Sequence, residues 1–168
     1  MTLPAAGLVE RLRALSLRVT TVESCTGGLI AAAITDVAGS SAVFDMGFVT
    51  YSNAAKTALV GVPEDLLDRV GAVSREVACA MAEGGRLRSG ADAAVAVTGI
   101  AGPGGGSGEK PVGLVHFALA TAEGTRHEVR RFGDLGRSGV RAATVALALE
   151  ILNDWAAQRA ATEGAAAP

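Results

Sequence analysis

The chain has 168 residues, the size of one folded domain, and is long enough to bury a hydrophobic core without disulfide or metal support. Fifteen Lys and Arg against 17 Asp and Glu give a formal net charge of −2, so charge gives no broad reason to expect nucleic acid or an anionic membrane as a partner. Cys25 and Cys79 are too few for a disulfide framework and lack neighbouring metal ligands in the sequence. No signal peptide or membrane-length apolar run is present, which favours a cytoplasmic protein. No His, Cys or carboxylate cluster has metal-ligand spacing, so we expect no metal.

The first predicted elements alternate between helix and strand. Leucines at helical spacing predict a helix over residues 5–16, and RVTTVES is typical of a strand. TGGLIAAAITDVAG predicts a helix that begins near Thr26 and ends at Gly39. AVFDMGFVTYS predicts a second strand, and NAAKTALVG a short helix capped by Asn53.

The remaining elements complete an α/β pattern. Two helices are predicted within residues 63–89, with Pro63 and Ser74 at their starts, before the buried-type strand ADAAVAVTGI. A glycine-rich loop leads to the strand VGLVHFALA, the turn TAEGT, the edge strand RHEVRRF and a helix over 136–158. We therefore predict a three-layer α/β/α sandwich on a mixed sheet of about five strands, as one domain over 1–160 with a disordered tail at 161–168.

The glycine-rich loop GIAGPGGGSGEKP excludes two common nucleotide-binding motifs. Its glycines do not fit G-x-G-x-x-G, and a strand follows where a dinucleotide fold requires a helix. No lysine follows a glycine as the phosphate-binding G-K-[ST] motif demands. A flexible surface loop and a ligand-binding loop at the end of a central strand both remain open.

The stretch TVESCTGGLI places two nucleophile types, Ser24 and Cys25, between a strand and a helix. A serine needs a base, yet the two histidines, His116 and His127, lie within predicted strands, where a structural role is the more common one. Lys56 is one of only two lysines and sits in the apolar stretch NAAKTALV, where burial could make it a neutral base. Tyr51, the only tyrosine, could relay a proton or orient the amine; a solvated lysine and a strand-end tyrosine are the alternative.

Two further features could complete a site. If a helix begins near Thr26, the amides of Thr26, Gly27 and Gly28 are unpaired and could form an oxyanion hole. Arg137 and Arg141 lie four residues apart near the start of the last helix, where they could hold a phosphate or form an ordinary solvated face.

Five motifs in order, ESCTGG, GFVTYSNAAK, GAVS, TGIAGPGGG and KPVG, resemble those of the nicotinamide-nucleotide amidases, which are also the C-terminal domain family of competence and damage-inducible protein A. The resemblance covers about residues 8–155. It implies hydrolysis of the carboxamide of nicotinamide mononucleotide without a cofactor. The implied roles are a Ser24 nucleophile assisted by Lys56 and Tyr51. The implied contacts come from the loop that contains Thr98, Gly99 and Gly102, with Arg137 or Arg141 at the phosphate.

The resemblance also implies a homodimer and a small-molecule nucleotide partner. The net charge and the lack of a membrane-length apolar run predict no nucleic-acid or membrane partner. Two other functions stay open at this stage: a non-catalytic nucleotide-binding regulatory domain, and an amidase for another small amide. A regulatory domain would have no use for an aligned serine, tyrosine and lysine, so the presence of all three favours an enzyme.

Overall fold

The computed structural model describes residues 4–166. Within residues 4–166, six α-helices, one 3₁₀ turn and five strands follow one another. In order they are α1 Pro4–Ala14, β1 Val19–Glu23, α2 Leu29–Thr35, the 3₁₀ turn Ser40–Ala42, β2 Phe48–Val49, α3 Asn53–Val60, α4 Glu64–Val70, α5 Arg75–Ser89, β3 Ala93–Gly99, β4 Leu114–Thr121, β5 Gly124–Arg131 and α6 Gly136–Ala166.

The five strands form one mixed sheet in the order β2-β1-β3-β4-β5. β1 is parallel to both β2 and β3, while β4 and β5 are antiparallel additions joined by a hairpin. The central strands β1 and β3 are buried along almost their whole length, as expected for strands covered on both faces.

Helices cover the sheet on both faces and enclose two hydrophobic clusters. One cluster contains residues of α1, α2 and α6 with inward-facing residues such as Phe117 and Trp155. The other contains residues of α3, α4 and α5 against the opposite face, including Val22 and Met81. The predicted three-layer α/β/α sandwich on a mixed sheet of five strands is therefore confirmed.

The second strand is much shorter than predicted, because its pairing with β1 is interrupted. Phe44 forms an isolated bridge with Val19, and regular pairing resumes only with Phe48 opposite Val22. Between these two pairs, three residues (45–47) lie opposite two (20–21), which breaks the ladder as a bulge does. Only two residues of AVFDMGFVTYS remain in regular strand geometry.

Helix α2 also differs from its prediction at both ends. It begins at Leu29 instead of near Thr26, because Gly27 and Gly28 have φ angles of 58° and 100°, which a right-handed helix cannot contain. It ends at Thr35, and Gly39 precedes the 3₁₀ turn and does not cap the helix.

One other local prediction needs correction, and one is confirmed. The cap of α3 is Ser52, whose hydroxyl accepts from the Ala55 amide, and Asn53 is the first helical residue. Ser74 caps α5 as predicted, since it accepts from the Val77 amide.

The last helix, α6, is longer than the predicted 136–158. It continues through residues 161–166, where the sequence analysis expected a disordered tail, while residues 167–168 lie outside the described part. Among residues 4–166, no helix combines the length and the apolar character that crossing a membrane would require.

Candidate active site

The carboxyl ends of the three parallel strands meet at one edge of the sheet. Glu23 of β1 pairs with both Val49 of β2 and Val97 of β3, so the residues that follow these three positions are neighbours. Open α/β sheets bind ligands at this edge. Ser24 and Tyr51 are thereby brought together with the loop after β3.

Ser24 occupies a tight turn between β1 and α2. Its amide donates to the Val97 carbonyl at 3.1 Å, which ties the turn to β3, and its own carbonyl accepts from the Gly27 amide. Arg141 holds the turn from α6: Nε donates to the Cys25 carbonyl at 3.2 Å and an Nη donates to the Thr26 carbonyl at 3.0 Å. The serine is therefore fixed by contacts on several sides.

Lys56 places its amine beside the serine. Nζ lies 3.1 Å from Ser24 Oγ and donates to the Thr50 carbonyl at 2.8 Å. The residue is only 1% exposed, and this burial lowers the pKa of the amine below its usual value, because the charged form loses its hydration. A buried amine in contact with a serine hydroxyl can accept the hydroxyl proton once it is neutral.

Cys25 is the less suitable nucleophile of the adjacent pair. Its side chain is buried, and burial raises the pKa of the thiol to about 11, with the nearby Glu23 carboxylate acting in the same direction. Because the thiolate is the reactive form, a thiol with so high a pKa is nearly inert at neutral pH. Because the Cys25 thiol stays protonated, no thiolate lies beside Lys56 to stabilise the charged form of its amine.

Tyr51 and Arg137 form the open side of the site. Tyr51 is 58% exposed, and its hydroxyl accepts from Arg137 Nη2 at 2.9 Å. Arg137 Nη1 donates to the Gly102 carbonyl, also at 2.9 Å, so this arginine joins the loop after β2 to the glycine-rich loop. No hydrogen bond joins the tyrosine hydroxyl to Ser24 or Lys56 within the described structure.

Thr98 and Gly99 are the last residues of β3 and line the same pocket. The Thr98 hydroxyl donates to the Ala72 carbonyl at 2.9 Å and so fixes the loop between α4 and α5 beside the site. At Gly99 a Cβ would lie 2.6 Å from a methyl group of Val115, so the position has no room for a side chain.

The pocket has a volume of about 300 Å³, and none of its lining residues in the described part of the chain is a carboxylate. Arg137 is its exposed cation, Lys56 lies at its base, and the exposed Asn53 adds an amide. Besides these, the lining consists of Ser24, Cys25, Tyr51, Ala72, Val73, Thr98, Gly99, Ile100, Ala101, Gly102, Gly104 and Gly105. Arg141 is not among the lining residues.

The predicted oxyanion hole is wrong in two of its three amides. The Gly27 amide donates to the Ser24 carbonyl, and the Gly28 amide donates to a Glu23 carboxylate oxygen. The amides of Thr26 and of Cys25, by contrast, have no hydrogen-bond acceptor within residues 4–166. The sequence reasoning failed because it took the helix to begin at Thr26.

Two residues that the sequence analysis missed organise the site. The fully buried Glu23 carboxylate accepts four hydrogen bonds around the Ser24 turn, and Thr50 supplies the carbonyl that receives the Lys56 amine. An acidic residue three positions before the predicted helix start at Thr26 could have pointed to Glu23, because carboxylates are favoured near helix N-termini. Thr50 acts through its main chain, so its side chain carries no signal for this role.

The two histidines lie outside the pocket. His116 Nδ1 and His127 Nε2 lie 2.9 Å apart on the neighbouring strands β4 and β5. Burial, with lesser contributions from His127 and Lys110, lowers the pKa of His116 to about 4. The two histidines contact each other, and neither lines the pocket that contains Ser24 and Lys56; their structural role stays a prediction. Within the described residues, no group of three or more His, Cys, Asp or Glu side chains is arranged to hold a metal ion.

The sequence matches a known protein family. The model of the CinA C-terminal domain matches residues 3–156, which is nearly the whole chain. The chain belongs to the CinA C-terminal domain family. The predicted family resemblance is thus confirmed.

Curated relatives are of two lengths. The chain is 54% identical over 150 residues to the nicotinamide-nucleotide amidohydrolase PncC of Pseudomonas putida, covering 89% of this chain and 93% of that protein. It is 50% identical over 149 residues to a CinA-like protein of Synechococcus sp. (strain RCC307), covering 88% of this chain but 36% of that protein. The chain therefore spans roughly a third of the length of longer relatives of this kind.

Solved structures share the fold. A competence/damage inducible protein from Agrobacterium tumefaciens superposes with a TM-score of 0.84 at 54% identity, over 90% of this chain and 97% of that one. A CinA superfamily protein from Klebsiella pneumoniae gives a TM-score of 0.87 at 35% identity, over 92% and 96% of the two chains.

Proposed function

We propose that this protein is a nicotinamide-nucleotide amidohydrolase that converts nicotinamide mononucleotide to nicotinic acid mononucleotide and ammonia. The proposal places Ser24 as nucleophile and Lys56 as base, with Tyr51 and Arg137 at the substrate. The observation that carries it is the 3.1 Å contact between Ser24 Oγ and the buried Lys56 Nζ at the base of a pocket. The likeness to the Pseudomonas putida enzyme over nearly the full length of both chains supports the substrate.

The reaction begins with proton transfer from Ser24 to neutral Lys56. A neutral amine has two N–H groups and one lone pair: one N–H donates to the Thr50 carbonyl, and the lone pair can then accept the proton of the serine hydroxyl, whose oxygen lies 3.1 Å from Nζ. Oγ then attacks the carboxamide carbon, and the carbonyl oxygen becomes an oxyanion. The free amides of Cys25 and Thr26 are the donors available beside the nucleophile for that charge.

Collapse of the tetrahedral intermediate completes the first half-reaction. The C–N bond breaks, and Lys56 returns its proton to the leaving amide nitrogen, which departs as ammonia. The acyl-serine is then hydrolysed by water, which gives up a proton to Lys56 as it attacks. The products are the pyridine carboxylate and the regenerated serine, so neither a redox agent nor a cofactor is consumed.

The charge of the pocket suits a substrate with one phosphate. Arg137 reaches the open side from α6, and the absence of lining carboxylates leaves its charge uncompensated in the described pocket. Tyr51 accepts from the same guanidinium and thereby orients it. We therefore assign Arg137 to the phosphate and Tyr51 to its support, while Arg141 is already engaged with two carbonyls of the serine turn.

Incubation of purified protein with nicotinamide mononucleotide, followed by assay of ammonia and nicotinic acid mononucleotide, tests the proposal. Equal amounts of both products, absent in Ser24→Ala, are expected. Binding without turnover would indicate a regulatory domain instead. Ammonia release from other small carboxamides at equal or greater kcat/KM would mean a different amide substrate.

The homodimer stays a prediction, which light scattering on a sizing column can check.

A further inference from the structure

Glu23 is a buried carboxylate that the reaction above does not use. It lies directly before Ser24, and its side chain is fully buried. Oε2 accepts from Thr26 Oγ1 at 2.6 Å and from the amides of Gly28 and Ile30 at 3.0 Å, while Oε1 accepts from the Ala31 amide at 2.8 Å. A buried carboxylate is costly unless hydrogen bonds replace its water, and four donors do so here.

These four donors connect the two ends of the serine turn. Thr26 lies within the turn, Gly28 at its exit, and the other two in the first turn of α2. Ser24 lies between the end of β1 and these four donors. The Glu23 carboxylate therefore fixes the distance between the end of β1 and the start of α2, and with it the position of Ser24. Residues held in this way are the support that a precisely placed nucleophile needs.

The main chain of Glu23 extends the same support to the base. Its carbonyl accepts from the Thr50 amide at 2.8 Å, and the Thr50 carbonyl accepts from Lys56 Nζ at 2.8 Å. One residue is thus covalently joined to the nucleophile and separated from the base by two hydrogen bonds. Its carboxylate is directed toward α2, where its charge is met by the amides of the helix.

We infer that Glu23 is a positioning residue for the serine–lysine pair: its carboxylate holds the turn so that Ser24 Oγ stays in contact with Lys56 Nζ. The inference rests on the proposed serine nucleophile. A carboxylate that only stabilised the fold would change the amount of folded protein, whereas a positioning residue changes the reactivity of Ser24 within the folded molecules.

The test measures that reactivity without the substrate. A small fluorophosphonate forms a bond between phosphorus and Ser24 Oγ with loss of fluoride, while the serine proton passes to Lys56 or to solvent. Its labelling rate is measured for wild type, Glu23→Gln, and Ile34→Ala, each divided by the folded fraction from circular dichroism. Ile34 is buried at the far end of α2, so its truncation destabilises the same helix without contacting the serine turn. Ser24→Ala is the blank.

Glu23→Gln keeps the shape but turns an amide NH₂ toward the donors. We expect labelling per folded molecule to fall about 100-fold, the effect of a misplaced reacting group, and kcat for ammonia release to fall in parallel with KM little changed. Ile34→Ala should stay within about threefold of wild type, since it only shifts the folding equilibrium. Glu23→Asp, which retains both oxygens, should recover part of the lost rate.

Labelling of Glu23→Gln at the rate of Ile34→Ala would overturn the inference. If Glu23→Gln does not fold, Thr26→Val replaces it, because it removes one donor to the same carboxylate; unchanged labelling in Thr26→Val would likewise overturn it. Wild type that is labelled at Ser24 but releases no ammonia from nicotinamide mononucleotide would refute the proposed substrate alone, and the labelling comparison would still decide about Glu23. Wild type that is neither labelled nor hydrolytic would overturn both.

Discussion

The two sides of the pocket differ in burial and in how their side chains are held. On the inner side, Ser24 and Lys56 are buried, hydrogen-bonded to each other, and bonded to main-chain groups of β3, of the serine turn and of the loop after β2. On the outer side, Tyr51 and Arg137 are exposed and bonded to each other. The inner side therefore suits a reaction that needs a dry, fixed pair, and the outer side suits recognition of a charged substrate in contact with water.

This difference predicts that inner substitutions act on kcat and outer substitutions act mainly on KM. Lost transition-state contacts lower kcat, whereas lost contacts common to substrate and transition state raise KM. The following experiments test that division, from the largest expected effect to the smallest.

Ser24→Ala should remove nearly all activity, a fall in kcat on the order of 10⁴ to 10⁶, as for other nucleophile deletions. Cys25→Ala should leave most of the activity, because burial raises the pKa of its thiol to about 11 and keeps it protonated. Ammonia release under saturating nicotinamide mononucleotide measures both. The opposite ranking would assign the nucleophile to Cys25.

Lys56→Arg should lower kcat by about 10³ or more, since arginine keeps the charge but cannot lose its proton at working pH. In wild type, burial lowers the pKa of Lys56, so kcat/KM should rise with pH as the amine becomes neutral, with a midpoint below that of an exposed lysine. The pH–rate profile and circular dichroism of the variant are the measurements. Substantial turnover in a folded Lys56→Arg would mean that the lysine acts only as a positive charge.

Arg137→Ala should raise KM by about 10- to 100-fold with a smaller change in kcat, the value of a lost charge-assisted hydrogen bond to an anion. Arg141→Ala is the matched comparison, because this arginine holds the carbonyls of Cys25 and Thr26. We expect Arg141→Ala to lower kcat rather than raise KM. Michaelis curves for the two variants distinguish these effects, and a larger KM effect in Arg141→Ala would exchange the two roles.

Tyr51→Phe should raise KM by only about three- to tenfold, because it removes a single hydrogen bond to Arg137. If the hydroxyl relayed a proton to or from Lys56, kcat would fall far more. Comparison of kcat in Tyr51→Phe with wild type therefore decides between support of the arginine and proton transfer.

His116→Gln should leave kcat and KM unchanged, because the His116–His127 pair lies outside the pocket. It should instead change how stability depends on pH. The folded pKa of about 4 lies below the unfolded value of about 6.5, so this stabilisation is present above pH 6.5 and is lost as pH falls toward 4. Urea midpoints at pH 7.5 and pH 5 should differ less in the variant than in wild type. An equal difference would mean that His116 does not contribute.

The sequence by itself determined the fold class and singled out Ser24, Tyr51 and Lys56, which line one pocket. Hydrophobic periodicity, β-branched residues in strands and turn residues are local signals. They were enough to predict the order of the elements, the Ser74 cap and a sheet of five strands. The motifs around Ser24, Tyr51 and Lys56 were sufficient to identify the family. Because β1, β2 and β3 are parallel, their carboxyl ends lie at one edge of the sheet, and so do the residues that follow them, including Ser24 and Tyr51.

Only the tertiary structure decided which groups are free and which are engaged. The sequence predicted that the amides of Gly27 and Gly28 are unpaired. In the structure, the positive φ angles of both glycines move the start of the helix to Leu29, and the Gly28 amide donates to the Glu23 carboxylate. Arg137 and Arg141 are equivalent by spacing, yet one faces the pocket and the other holds the turn. Such choices depend on contacts between residues up to 116 positions apart, as between Arg141 and Cys25, and local sequence patterns do not encode which partner a side chain will find.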